Sequence, residues 1–197
     1  MLSFLHSWDV TLFFLINQKG QNYFFDWFMP FMTDFKNFTY VFPLLAIWIL
    51  WKEKRRGILT LVFLGLTLTI TDQFSSLFLK EWVGRVRPCQ VLQHVRLVLT
   101  DCNTSYSFPS SHAVNIFAAA YFLSPSLKRF AFLFYLIASL VAYSRVYIGI
   151  HYPLDNILGA GIGILVAWPF WRLCDLAKKK ITARPRGLAA KNGSRQR

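Results

Sequence analysis

Apolar residues come in runs along this chain, and clusters of charge mark where the runs end. Thr39 to Trp51 is apolar and aromatic, Lys52-Glu53-Lys54-Arg55-Arg56 stops it, and Gly57 to Leu79 is apolar again. This pattern predicts a helical hairpin, because spanning a bilayer takes about 20 such residues per helix. Ala113 to Leu123 is a shorter apolar stretch, Ser124 to Arg129 a basic turn, and Phe130 to Tyr147 and Ile157 to Cys174 are two further spans. Residues 2 to 35 are different. Two aromatic segments, Trp8 to Ile16 and Tyr23 to Met32, are interrupted by Asp9, Gln18, Gly20, Gln21, Asp26 and Asp34. Aromatic rings mixed with isolated charges suit the headgroup level, so the expectation is interfacial helices, with one imperfect extra span as the alternative.

Polar residues inside the runs carry further information. Asp72 and Gln73 lie at membrane depth, where a polar group needs a partner, and bonding between helices is favoured over a functional role. Residues 80 to 111 form a polar stretch too long for a plain connector. Counting crossings, Lys80 to His112 and Arg145 to Asp155 emerge on the same face, opposite the basic turns.

Composition supports a bilayer as the solvent: 55% of the 197 residues are hydrophobic and 18% aromatic, too apolar for a soluble domain of this size. The net charge of +13 would suit nucleic acid, but fifteen of the 22 Lys and Arg fall in 52 to 56, 128 to 129 and 172 to 197, all at span ends. That clustering follows the positive-inside rule, so these segments are assigned to the cytoplasm, with anionic lipid headgroups as partners and no nucleic acid. The N-terminus lacks the layout of a cleaved signal peptide, and the tail after Lys178 reads as disordered. Cys174 stands apart near a cytoplasmic span end. Cys89 and Cys102 share the opposite loop, where a disulfide and two free thiols are equally compatible with the sequence. The cysteines have no metal spacing.

Three segments carry candidate chemistry on the shared face. Lys80-Glu81-Trp82-Val83-Gly84-Arg85-Val86-Arg87-Pro88 places cations just past a span, a pattern that snorkelling side chains also produce. Phe108-Pro109-Ser110-Ser111-His112-Ala113 puts hydroxyls ahead of an apolar helix, whose free N–H groups can hold an anion; plain capping by Ser110 or Ser111 is the simpler account. Ser144 to Asp155 contains Arg145, Gly149, which permits a tight reversal, His151, and Asp155, one turn beyond His151 if a helix starts there. Each segment alone is ambiguous. Together they supply cations, N–H donors, two histidines and a carboxylate at one depth.

The patterns K-x6-R-P, P-S-x-H and S-R-x5-H-x3-D resemble the three signature motifs of the type 2 phosphatidic acid phosphatase (PAP2) family, over residues 39 to 175. The resemblance implies an all-α, polytopic membrane bundle of five to six transmembrane helices, a fold also shared with vanadate haloperoxidases. Its expected divisions are residues 1–36, 37–176 (the phosphatase domain) and 177–197 (a basic cytoplasmic tail). It implies that Lys80, Arg87, Ser110, Ser111 and Arg145 bind phosphate, that His151 is the nucleophile forming a phosphohistidine, that His112 protonates the leaving oxygen, and that Asp155 orients His151. No metal or cofactor is expected, and no obligate protein partner. Ser111 departs from the glycine most common at its position. Arg85 lies outside the pattern, and binding a second phosphate or headgroup and simple snorkelling are equally open for it. The implied activity is removal of phosphate from a membrane lipid at the outer face of a bacterial inner membrane. Lipid A 1-phosphate, undecaprenyl pyrophosphate, phosphatidylglycerol phosphate and phosphatidic acid are the candidate substrates. A phosphotransferase using the same phosphohistidine and a non-enzymatic lipid-binding protein are the alternatives.

Overall fold

The computed structural model describes residues 2–183 of the chain. Its helices, in order, are α1 (Leu2–Phe14), α2 (Tyr23–Thr33), α3 (Val41–Glu53), α4 (Arg55–Gln73), α5 (Lys80–Val83), α6 (Pro88–Val91), α7 (Ser111–Leu123), α8 (Ala131–Tyr147) and α9 (Pro153–Ala183). A π-helical turn, Phe74–Leu79, joins α4 to α5, and another, Leu15–Lys19, follows α1. Among the described residues there is no strand. Three stretches, Arg55–Val91, Lys128–Tyr147 and Pro153–Thr182, are long and apolar enough to cross a membrane; α3 and α7, with 13 residues each, are shorter. Apolar side chains on the helix exteriors face outward, with Phe132 80% and Leu165 73% exposed, as hydrocarbon rather than water would allow.

The short α7 packs along α9 and is flanked by α4 and α8. Small residues let α7 and α9 approach. A Cβ on Gly163 would lie 2.1 Å from the Val114 carbonyl oxygen, and one on Gly159 would lie 3.2 Å from that of Ser110, whereas one on Gly161 would meet nothing within 4 Å. With little hydrophobic drive between helices in lipid, this close packing is a main source of association. Gly163→Ala is therefore expected to destabilise the folded protein by about 1–3 kcal/mol, through overpacking against backbone that cannot yield. Gly161→Ala should be neutral within about 0.5 kcal/mol. Thermal unfolding in detergent compares the two, and equal midpoints would contradict this packing.

The polar residues at membrane depth find partners. Asn115 of α7 donates to Asp72 Oδ1 at 2.9 Å and accepts from Thr71 Oγ1 at 2.8 Å, so Asp72 does bond two helices together. Gln73 instead lies on the exposed side of α4. At the basic end, Glu53 accepts from Thr60 and pairs with Lys178 at 2.8 Å, tying the α3–α4 turn to α9.

Two expectations about segment ends change. Helix α9 starts at Pro153, four residues before the apolar run, and continues to Ala183, so residues 179–183 are helical rather than disordered. The last turns carry Lys178, Lys179 and Lys180, good helix formers on a helix already nucleated. The rest of the expected disordered tail lies outside the described residues.

The N-terminal segment is bonded into the bundle. Asn17, fully buried, donates to the carbonyls of Arg96 and Tyr147 at 2.8 Å and accepts from Arg96 N–H at 2.9 Å. Asp26 of α2 accepts from the Tyr147 hydroxyl and pairs with Arg96. Helix α2 lies along α8, while α1 touches α9.

Candidate active site

His151 is placed by the reversal between α8 and α9. Gly149 adopts φ +93°, and a Cβ there would lie 2.5 Å from the Arg96 carbonyl oxygen, so both its backbone conformation and its surroundings require glycine. Beyond it the N–H groups of Ile150 and His151 donate to the Arg145 carbonyl at 3.3 and 3.2 Å. The imidazole is thereby fixed beside the end of α8, only 1% exposed.

The hydrogen bonding assigns its tautomer. Arg87 Nη1 lies 3.2 Å from His151 Nε2, and a guanidinium can only donate, so Nε2 is the acceptor and Nδ1 carries the hydrogen. Nδ1 faces Asp155 Oδ2 at 3.6 Å, too long for a hydrogen bond but close enough for the carboxylate to stabilise an imidazolium. Asp155 sits one turn on, as expected, although His151 lies in the bend before the helix and not within it. Burial, with Arg145 and Arg87 adding to it and Asp155 opposing, pushes the His151 imidazole down to about 3. It is neutral at ordinary pH, with its Nε2 lone pair available to an electrophile once Arg87 yields.

Arg87 is itself 3% exposed and heavily bonded. Its Nε donates to the Ser105 carbonyl at 2.8 Å, Nη2 to Ser105 Oγ at 3.0 Å, and Nη1 to the Ile150 carbonyl at 2.9 Å. Pro88 begins α6 directly after it, and Cys89 is disulfide-bonded to Cys102, with an S–S distance of 2.04 Å, joining the Arg87 segment to the loop that carries Ser105. Of the two states the sequence allowed for these cysteines, the structure holds the bonded one.

The α7 N-terminus supplies the opposite wall. Ser110 is its N-cap residue but makes no side-chain capping bond, so capping does not account for it. Its N–H donates to the Asp155 carbonyl at 3.1 Å, locking the second segment to the third. Ser111 turns toward α4, with its Oγ 3.3 Å from Ser76 Oγ. First-turn N–H groups of a helix lack intrahelical acceptors and can hold an anion. His112 stacks on Phe35, with ring centroids 5.0 Å apart, and lines an open cavity of about 660 Å³ together with Arg145, Thr33, Trp27, Lys36 and Leu99. His151 and Arg87 do not line it. Lys80 opens α5 just past the π-helical turn, one turn beyond Ser76, and enters no ion pair among the described residues. A π-helical turn shifts the following residues relative to a regular helix, and such turns are frequent at functional sites.

Buried polar atoms without a protein partner among the described residues include Ser110 Oγ, Arg145 Nε and His151 Nδ1. Leaving such groups unsatisfied is costly, and three of them fall on residues singled out from the motifs. Direct bonds thus bring Arg87, Arg145, His151, Asp155 and Ser110 together, while Ser111 and Lys80 approach from the α4–α5 side.

Arg85 departs from both of its expected roles. It is neither a snorkelling cation nor a free anion-binding group: Nη1 pairs with Asp155 Oδ1 at 2.7 Å, Nη2 pairs with Asp9 Oδ2 at 2.6 Å, and the guanidinium lies 4.0 Å from the centroid of Tyr152. Its two arms are engaged by buried carboxylates, so its charge is committed within the protein. Sequence reasoning also passed over Asp9, Ser105, Ser107, which donates to Asp155 Oδ2, and Thr33, which accepts from Arg145 Nη1 at 2.7 Å. For Asp9 the signal was a lone carboxylate in an apolar helix; for Thr33 there was none.

An all-helical membrane bundle whose loops bring arginines, histidines and a helix N-terminus together at one end is the architecture of a membrane phosphatase. The model of the PAP2 superfamily matches residues 60–179, and the chain belongs to that family. A lipid A 4'-phosphatase of Bacteroides thetaiotaomicron is 31% identical over 93% of this chain and 83% of its own length. An undecaprenyl-diphosphatase of Sulfolobus acidocaldarius is 30% identical over 82% of this chain and 76% of its own. The crystal structure of Aquifex aeolicus LpxE superposes with a TM-score of 0.66 at 27% identity, covering 83% of this chain and 94% of that one.

Proposed function

We propose that the chain hydrolyses the phosphate monoester or diphosphate of a membrane lipid through a phosphohistidine on His151. The observation that carries this is the buried His151 imidazole with its Nε2 held beside Arg87 and its Nδ1 facing Asp155. In the first step Nε2 attacks phosphorus, the bond from phosphorus to the lipid oxygen breaks, and His112, protonated when the anionic phosphate is bound, delivers that proton to the leaving oxygen. In the second, His112 takes a proton from water as its oxygen attacks the phosphohistidine, releasing inorganic phosphate and restoring His151. Lys80, Arg87, Arg145 and the α7 N-terminus, with Ser110 and Ser111, stabilise the equatorial oxygens as charge develops. Asp155 holds the imidazole and offsets its positive charge in the transition state.

The names of the relatives favour the 4'-phosphate of lipid A, undecaprenyl diphosphate or phosphatidylglycerol phosphate; lipid A 1-phosphate and phosphatidic acid are the remaining candidates. The site faces the outer side of the inner membrane, and the C-terminus the cytoplasm. The disulfide beside Arg87 supports this, since such bonds persist in oxidising compartments, as does the cluster of basic turns at the other end. The test is phosphate release from each of these lipids by purified protein in detergent with EDTA. A parallel assay offers the best substrate from outside to intact spheroplasts. Release from one lipid class, in both settings, is expected. Release from none of them, transfer to another lipid in place of release, or activity only after lysis would each refute the corresponding part of the proposal.

A further inference from the structure

The N-terminal helix contributes a buried carboxylate to the site from outside the three motifs. Asp9 is 1% exposed, midway along α1, yet both of its oxygens are engaged at the site. Oδ1 accepts the N–H of Leu154, in the first turn of α9 and next to Asp155, at 2.9 Å. Oδ2 accepts from Arg85 Nη2 at 2.6 Å, and the other arm of the same guanidinium reaches Asp155 Oδ1 at 2.7 Å. The second oxygen of Asp155 accepts from Ser107 Oγ and from Tyr152 N–H at 2.9 Å, and is the one facing His151.

We infer that Asp9 and Arg85 are positioning residues, forming a buried Asp9–Arg85–Asp155 chain that fixes Asp155 and sets how much of its negative charge is available to His151. Charge counting gives the reason. Arg85 alone would neutralise Asp155 and leave little to stabilise an imidazolium. With Asp9 on its far side, the three groups carry one net negative charge, which the histidine balances when it becomes cationic. In a buried setting an arginine fork bridging two carboxylates also fixes the orientation of both. Helix α1 is joined to the reaction in this way.

This inference rests on the role proposed for His151. Asp9→Asn keeps the shape of the side chain, removes its charge, and presents a donor to either Arg85 or Leu154 N–H. It is expected to lower kcat about ten- to a hundredfold, the range typical when a group orienting a reactive ligand is lost, while KM stays within about twofold. In an Asp155→Asn background, whose residual rate is low but measurable, the same change should cost less than about twofold, because members of one chain act non-additively. A merely structural Asp9 would give the same loss in both backgrounds, and that result, an unchanged kcat, or a loss confined to KM would overturn the inference. Should Asp9→Asn not fold, Arg85→Lys replaces it under the same criteria, since an ammonium keeps the charge but lacks the fork. His151→Ala is assayed alongside. If it is active, the phosphohistidine is at fault; if it is inactive and Asp9→Asn is not impaired, only the positioning chain fails.

Discussion

His151→Ala leaves no measurable phosphate release, a fall of at least about a thousandfold, while the protein still purifies as a folded membrane protein. The size of the effect follows from what the imidazole does. If Nε2 forms the bond to phosphorus, no neighbouring side chain can replace it, because the groups around it are guanidinium donors and backbone carbonyls. What remains is electrostatic stabilisation of a direct attack by water, and that attack lacks the nucleophile. The folded state should survive, because Arg87 keeps its bonds to Ile150 and Ser105. Phosphate release is measured at saturating lipid with EDTA present. Turnover within about tenfold of the native rate would mean that another group attacks phosphorus.

Much of this site could be read from the sequence because the bilayer restricts what a polar residue can be doing. Long apolar runs bounded by Lys52–Arg56, Lys128–Arg129 and the C-terminal lysines mark where successive spans turn, which is what predicted that the Lys80–His112 and Arg145–Asp155 loops share a face. Lys80, Arg87, Ser110, Arg145, His151 and Asp155 stood out because the three segments that carry them emerge on one face and together match one family's motifs, although each segment alone is ambiguous. The exact roles of the cations were less legible. Arg85 and Arg87 are two residues apart in the same loop, yet they bond different partners for different ends. Arg85 bonds Asp9, 76 positions away, and Asp155, 70 away, whereas Arg87 bonds Ser105 and the His151 bend. Local spacing contains nothing that distinguishes a guanidinium already paired from one free to bind substrate. The same holds for residues 2 to 35. Asp9, Gln18 and Asp26 look like interruptions of two aromatic segments, but each is a bonding point to a loop or helix end far along the chain. Their polarity was visible; their partners required the fold. The π-helical turn before Lys80 was also invisible, because nothing in Phe74-Ser75-Ser76-Leu77-Phe78-Leu79 distinguishes it from a regular helix.

Arg87→Lys should lower kcat/KM by about a hundred- to a thousandfold, nearly all of it in kcat, although the charge is kept. A lysine offers three donors from a single nitrogen, whereas Arg87 reaches the Ser105 carbonyl, Ser105 Oγ, the Ile150 carbonyl and His151 Nε2 from three separate nitrogens in one plane. An ammonium can satisfy some of these but cannot hold the Ser105 loop and the His151 bend at once. Two losses follow. The imidazole is no longer held in the tautomer that keeps Nε2 unprotonated, and one planar donor to the transferring phosphoryl group disappears, worth about 2.7–4 kcal/mol where such donors have been removed singly. Because Arg87 is sealed behind the cavity wall and touches the histidine rather than the entrance, weaker substrate capture should account for little of the effect. Steady-state kinetics on the preferred lipid separates the two quantities. If KM rises in step with the loss while kcat holds, Arg87 serves lipid binding and not the reacting histidine, and the tautomer assigned from its 3.2 Å contact loses its functional meaning.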